Sequence, residues 1–223
     1  KTSVAALTGT SVSAHYLIPD PSDPTYIEAG FKDVSIFNLV DENERAWHAG
    51  ASMWAGRNNL NDTSIGIEIV NLATDTGGVF TFPPYHSAQI AAIKELATSI
   101  LQRYPDMTPV NVVGHSDISL GRKRDPGPAF PWQELYDAGV GAWYEESTKQ
   151  SYWVQFKDTM PPKSEVINKL SKYGYDTSAS SIESGYINLI RAFQLHFRPQ
   201  KYDGVLDAET AAALYALFDK YSR

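Results

Sequence analysis

The rhythm of apolar residues changes once along the 223 residues, near Tyr144, and that change divides the chain into an alternating part and a purely helical part. Upstream, Ser13 to Ile18, Val34 to Val40 and Ile65 to Ile69 have strand character, and the last alternates, with three isoleucines on one face and Glu68 on the other. Ser87 is placed to cap a helix with Ile90, Ile93, Ala97, Ile100, Leu101 and Tyr104 on one stripe. Val110 to Val113 then reads as a buried strand, and strand, helix and strand make a crossover unit. The expected class is α/β, a central mixed β-sheet with flanking helices, followed by a small three-helix domain. Met160-Pro161-Pro162 and Asp176 to Ser181 punctuate that second part, leaving helices over Ser164 to Tyr173, Ile182 to Phe197 and Asp207 to Tyr221. Val166, Ile167, Leu170 and Tyr173, then Tyr186, Ile187, Ile190 and Phe193, then Leu214, Leu217 and Phe218 recur at helical spacing and are expected in its core. Charge changes at the same place. Residues 1–148 hold 9 basic and 18 acidic side chains and residues 149–223 hold 10 and 8, so the expected domains are 1–148 and 149–223.

Composition removes several function classes. A net charge of −7 and a pI near 5.2 lack the basic footprint of a nucleic-acid binder. No run of about 18 apolar residues offers a transmembrane segment. Without cysteine there is no disulfide, no thiolate nucleophile and no cysteine zinc site.

Chemistry concentrates between Val112 and Trp132. A strand ending at Gly114 delivers His115 to a loop, where sites tend to sit, and Asp125-Pro126-Gly127-Pro128 is a turn of restricted geometry that holds the Asp125 carboxylate in place. A neutral imidazole and a carboxylate suit Zn²⁺, which in a catalytic site needs one further protein ligand and leaves the fourth position to water. The plain alternative is a structural histidine beside a turn. Glu68, in the middle of a short apolar strand, is costly to bury unpaired and so points to a cleft on its face; an edge strand with one wet face is the alternative.

The stretch from Val112 to Trp132, the run Ala46-Trp47-His48-Ala49-Gly50 and the run Asn61 to Glu68 together resemble the zinc-dependent N-acetylmuramoyl-L-alanine amidases, which include bacterial wall-recycling amidases, some phage lysozymes and animal peptidoglycan recognition proteins. The resemblance spans about residues 1–145. It implies hydrolysis of the amide between the lactyl group of N-acetylmuramic acid and the L-alanine of a peptidoglycan stem peptide, with His115 and Asp125 as metal ligands. Zn²⁺ would lower the pKa of a water from 15.7 towards about 7, Glu68 would serve as general base, and Lys123 would stabilise the oxyanion. His48, Trp47, Asn38 and Asn61, with Arg45, are candidate substrate contacts. In the family a histidine-bearing strand precedes the segment matched by Lys1, so the third ligand is expected upstream of it. His15 only superficially resembles that ligand and is expected to be a strand histidine bonded to a neighbour.

Arg191 to Phe197 followed by Tyr202 to Thr210 resembles a bacterial peptidoglycan-binding module, with Asp203-Gly204 as a turn and Asp207 as a helix cap. A fragment ending near Thr148 would then keep hydrolysis of soluble muropeptides and lose grip on intact sacculi. The resemblances together imply a monomer in the bacterial cell envelope, periplasmic, with attachment to the outer membrane as a lipoprotein an open option. Two alternatives stand beside this: a recognition protein that keeps the cleft without a complete zinc site, and a zinc peptidase on a similar scaffold.

Overall fold

The structure, a computed structural model, describes residues 2–7 and 11–222. In chain order its elements are α1 (Thr2–Leu7), β1 (Tyr16–Ile18), α2 (Pro24–Glu28), β2 (Phe37–Asn38), β3 (Met53–Trp54), β4 (Arg57–Asn58), β5 (Ile67–Ile69), β6 (Thr74–Thr76), β7 (Val79–Thr81), α3 (Ser87–Arg103), α4 (His115–Ile118), α5 (Trp132–Asp137), α6 (Glu146–Asp158), α7 (Lys163–Tyr173), α8 (Glu183–Phe197) and α9 (Ala208–Tyr221). The fold is mixed α/β with a small central sheet, and the chain falls into two compact units. The first comprises Lys1–Ala51, Asn59–Asp106 and Ala129–Pro131; the second comprises Ser52–Asn58, Met107–Pro128 and Trp132–Arg223.

In the first unit β1 lies between antiparallel β2 and parallel β5, a mixed sheet of three strands. Leu17 and Ile18 are buried, as are Ile90, Ile93, Leu96 and Ile100 of α3. The helix starts one residue earlier than expected. His86, not Ser87, is its N-cap, with the Ala88 N–H donating to His86 Nδ1 at 3.1 Å and Gln89 Oε1 accepting the His86 N–H at 3.0 Å.

The second unit corrects one strand. Val110 to Val113 does not pair into a sheet: Pro109–Asn111 form a 3₁₀ turn, and the extended Val112 and then Val113 follow outside any ladder. Pro109 has a fixed φ and no N–H, and its carbonyl accepts from Val112 N–H at 3.3 Å, so the apolar run closes on itself. The three expected C-terminal helices are present as α7, α8 and α9, and α6 joins them. Its buried side chains are only Lys149 and Phe156, too sparse a stripe to stand out in the sequence. The core holds Val166, Leu170, Tyr173, Tyr186, Ile190, Phe193, Leu214 and Leu217, together with Leu189, Leu195 and Phe197, whereas Ile167, Ile187 and Phe218, expected there too, are only half-buried at its margin.

Two polar devices fix this bundle. Asp207 caps α9 by accepting from Thr210 N–H at 2.9 Å, and both its oxygens lie 2.7 Å from Arg198 Nη1, while Arg198 Nη2 reaches Glu209 at 2.7 Å. Gly204 has φ +81° and its N–H donates to buried Gln194 Oε1 at 2.8 Å; a Cβ there would stand 2.7 Å from Ile187 carbonyl oxygen.

Candidate active site

His115 opens α4, a single turn capped by Gly114. Asp117, at the third position of that turn, reaches back to accept the Gly114 N–H at 2.7 Å, and Ser116 N–H donates to the Asp125 carbonyl at 2.8 Å. These two bonds tie the ends of the loop together. They bring His115 Nδ1 to 2.9 Å from Asp125 Oδ2, with the Asp125 side chain 57% exposed. The Asp125–Pro126 peptide bond is cis. Desolvation raises the Asp125 pKa, but the hydrogen bond and charge of His115, with the Lys123 ammonium, outweigh it and hold the carboxyl below its ordinary range. Arg122 Nη2 stands 3.3 Å from His115 Nε2 and donates to Ser119 Oγ at 2.7 Å.

The pair suits a small cation. Two donors each 2.0–2.2 Å from a tetrahedral Zn²⁺ are about 3.4 Å apart, so an imidazole and carboxylate at 2.9 Å need only a small opening to share one. Among the described residues no group of three or more His, Asp or Glu is placed to hold a metal; His115 and Asp125 could supply two donors. Lys123 lies in the same unit and lines a small depression with Gly121, Arg124, Asn188, Arg191 and Leu195.

The remaining candidates lie in the first unit. Glu68 is exposed on β5, an edge strand, with register partner Leu17. Glu68 thus sits on the wet face of an edge strand and bears no burial cost, and its candidacy rests on its place in the motif. His48 is half-buried, its ring 5.6 Å from that of His15, and Gly66 is required beside it because any Cβ would run into the His48 ring. His15, 1% exposed, accepts the Gly66 N–H at Nδ1 (3.0 Å) and so carries its proton on Nε2, which donates to the Glu44 carbonyl at 3.1 Å. With both nitrogens engaged it is a structural histidine, as the sequence suggests. Asn61 is buried, and its Oδ1 accepts the backbone N–H groups of His48 (3.0 Å) and Ala49 (2.7 Å). Asn38 donates to the carbonyls of His15 and Val40. Trp47 is 52% exposed, with the Arg45 guanidinium 3.8 Å from its ring centroid, and Arg45 also pairs with Asp62 at 2.7 Å.

Sequence reasoning missed the surroundings of Asp117. Fully buried, it accepts from Tyr175 O–H at 2.7 Å and His196 Nδ1 at 2.8 Å. The acidic residue three after Gly114 was the available signal, since that spacing marks a helix start.

The two motif-bearing segments and this loop belong to one kind of protein. The N-acetylmuramoyl-L-alanine amidase family matches residues 2–128, and the chain belongs to that family. Among curated relatives it is 43% identical to the N-acetylmuramoyl-L-alanine amidase AmiD of Escherichia coli K12, over 99% of this chain and 79% of that protein. Among solved structures, AmpDh3 of Pseudomonas aeruginosa in complex with anhydromuramic pentapeptide is 61% identical with TM-score 0.96, covering 99% of this chain and 87% of that one. AmiD from E. coli with anhydro-N-acetylmuramic acid-L-Ala-D-gamma-Glu-L-Lys is 42% identical with TM-score 0.86, covering 99% and 84%.

Proposed function

We propose that this protein hydrolyses the amide between the lactyl group of N-acetylmuramic acid and L-alanine in peptidoglycan fragments, anhydro-muramoyl peptides included, with a resident Zn²⁺ held in part by His115 and Asp125. The observation that carries the reading is the 2.9 Å convergence of His115 and Asp125 in a loop tied at both ends, inside the family's motif. Whole-chain likeness to two structures that hold anhydromuramic peptides supports the substrate class.

Bound there, Zn²⁺ would polarise the scissile carbonyl and acidify a water. Glu68 takes the proton of the attacking water and returns it to the leaving nitrogen, its exposed position on β5 leaving the carboxyl group open to substrate. The Lys123 ammonium offsets charge growing on the carbonyl oxygen. Trp47 offers an apolar ring face to substrate, and His48 a polar one. Asn61 through Oδ1 and Asn38 through Nδ2 bond backbone groups and shape the segments carrying these side chains, and the other atom of each amide is proposed to meet polar groups of the substrate. Residues 149–223 are proposed to hold the enzyme on the wall polymer, by their resemblance to a wall-binding module. No helix among the described residues is long and apolar enough to cross a membrane; the substrate supports a place in the cell envelope, in the periplasm, and the protein is taken as a monomer.

A recognition protein that keeps the cleft without catalysis is the alternative reading. Anomalous scattering at the zinc edge separates the two. Metal against both side chains supports the hydrolase; metal bound through His48, or none at His115, contradicts it.

A further inference from the structure

We infer that Tyr175 and His196, from the C-terminal helical part, are positioning residues for the His115–Asp125 pair, acting through the buried carboxylate of Asp117. The inference rests on the zinc reading above. Asp117 is 0% exposed, and a carboxylate removed from water is tolerated only when donors surround it. Three do: Gly114 N–H and His196 Nδ1 on Oδ2, and Tyr175 O–H on Oδ1. The first bond sets the start of α4, and α4 sets the direction of His115, two residues before Asp117. Because α4 is one turn of four residues, it has no length of its own to fix that direction.

Both distant donors are themselves held. The His196 ring stacks on Trp132 (centroids 3.8 Å apart, planes at 18°) and on Phe197 (3.9 Å, 7°), which aims Nδ1 at Asp117. The Tyr175 ring meets Trp54 edge-on at 4.9 Å. His196 also carries a cost that packing alone would not retain. Its Nε2 is buried with no hydrogen-bond partner among the described residues, so a phenyl ring would fill the same stack without stranding a polar atom. What the imidazole adds is the bond to Asp117.

The test uses the whole protein and four variants. Tyr175→Phe removes one oxygen and keeps the ring; His196→Phe keeps the stack and removes the donor; His196→Gln restores a donor of similar reach. Gln194→Ala is the control, since Gln194 serves Val205 carbonyl, Gly204 N–H and Thr210 Oγ1 in the same helical part, away from Asp117. Zinc affinity by chelator competition, kcat and KM at saturating zinc, and the unfolding temperature of the zinc-free protein are read together. Outer partners of metal ligands are worth 10–100-fold in metal affinity, so Tyr175→Phe and His196→Phe are expected to bind zinc about 10-fold more weakly and to lose kcat with KM little changed. His196→Gln recovers most of the affinity, and Gln194→Ala lowers the unfolding temperature while binding zinc as wild type does. Zinc affinity within twofold of wild type in Tyr175→Phe overturns the inference, and that variant decides alone if His196→Phe does not fold. A wild type that binds no zinc removes the metal reading itself, and the inference with it.

Discussion

Glu68 and Lys123 are the side chains on which turnover is proposed to depend without metal binding depending on them. Glu68→Ala and Lys123→Ala are each expected to cut turnover on a soluble muropeptide by about 10²-fold or more, with zinc content near that of wild type. The double variant should fall short of the product of the two losses, because both serve one reaction. Rates within a few-fold of wild type would withdraw these roles. His115→Ala is expected to lose zinc as well as rate, which atomic absorption on the dialysed protein checks. His115 and Asp125 were legible as a candidate donor pair, because an imidazole after a glycine and a carboxylate before a proline turn are read locally, while their proposed role as metal ligands came with the family resemblance. Asp117 was not legible as anything but an acidic residue: its partners Tyr175 and His196 lie 58 and 79 residues away, and no local rule reaches that far.

Helix ends and short strands show where local rules hold. Asp207 caps α9 as its sequence position implies, and Asp207→Ala should cost about 1 kcal/mol or more of stability, since the cap and the Arg198 pair go together. Desolvation raises the Asp207 pKa, but the Thr210 N–H, Arg198, the Thr210 hydroxyl and Lys201 bring it down to about 2 from 3.8. A carboxyl depressed in the folded state contributes stability that is fully present above its unfolded value and lost as pH falls through the folded one. Unfolding temperature is therefore expected to drop between pH 4 and pH 2, with a smaller drop in Asp207→Asn; Glu42, lowered to about 2 chiefly by its bond to Arg103, adds to the same window in the first unit. An equal drop in Asp207→Asn would contradict this assignment. Local rules failed at Val110 to Val113, whose β-branched residues suggest a strand while Pro109 begins a turn. They failed at α6 because a helix with few buried side chains leaves a weak stripe.

Over the whole chain, the α/β sheet, the helical C-terminal part and the family were legible from the sequence, because the change of periodicity and three ordered motifs are properties of long segments. What periodicity could not carry is that Met107–Pro128, with the candidate metal pair, packs into the compact unit that holds the C-terminal helices. A fragment ending at Thr148 would strip Asp117 of Tyr175 and His196. In place of the separable hydrolase suggested by the charge step, that fragment is expected to bind zinc poorly and to lose hydrolysis even of soluble muropeptides; full activity of the fragment on a soluble substrate would show that these helices only anchor. All of this turns on which bond is cut. Mass spectrometry of products from a defined anhydromuramoyl-L-alanyl peptide reads that bond. Anhydromuramic acid and a peptide with a free L-alanine amino group are expected, both abolished by zinc chelation and in His115→Ala. Recovery of intact substrate from active-site-loaded wild type, or cleavage between two amino acids of the stem with the lactyl amide preserved, would contradict that assignment.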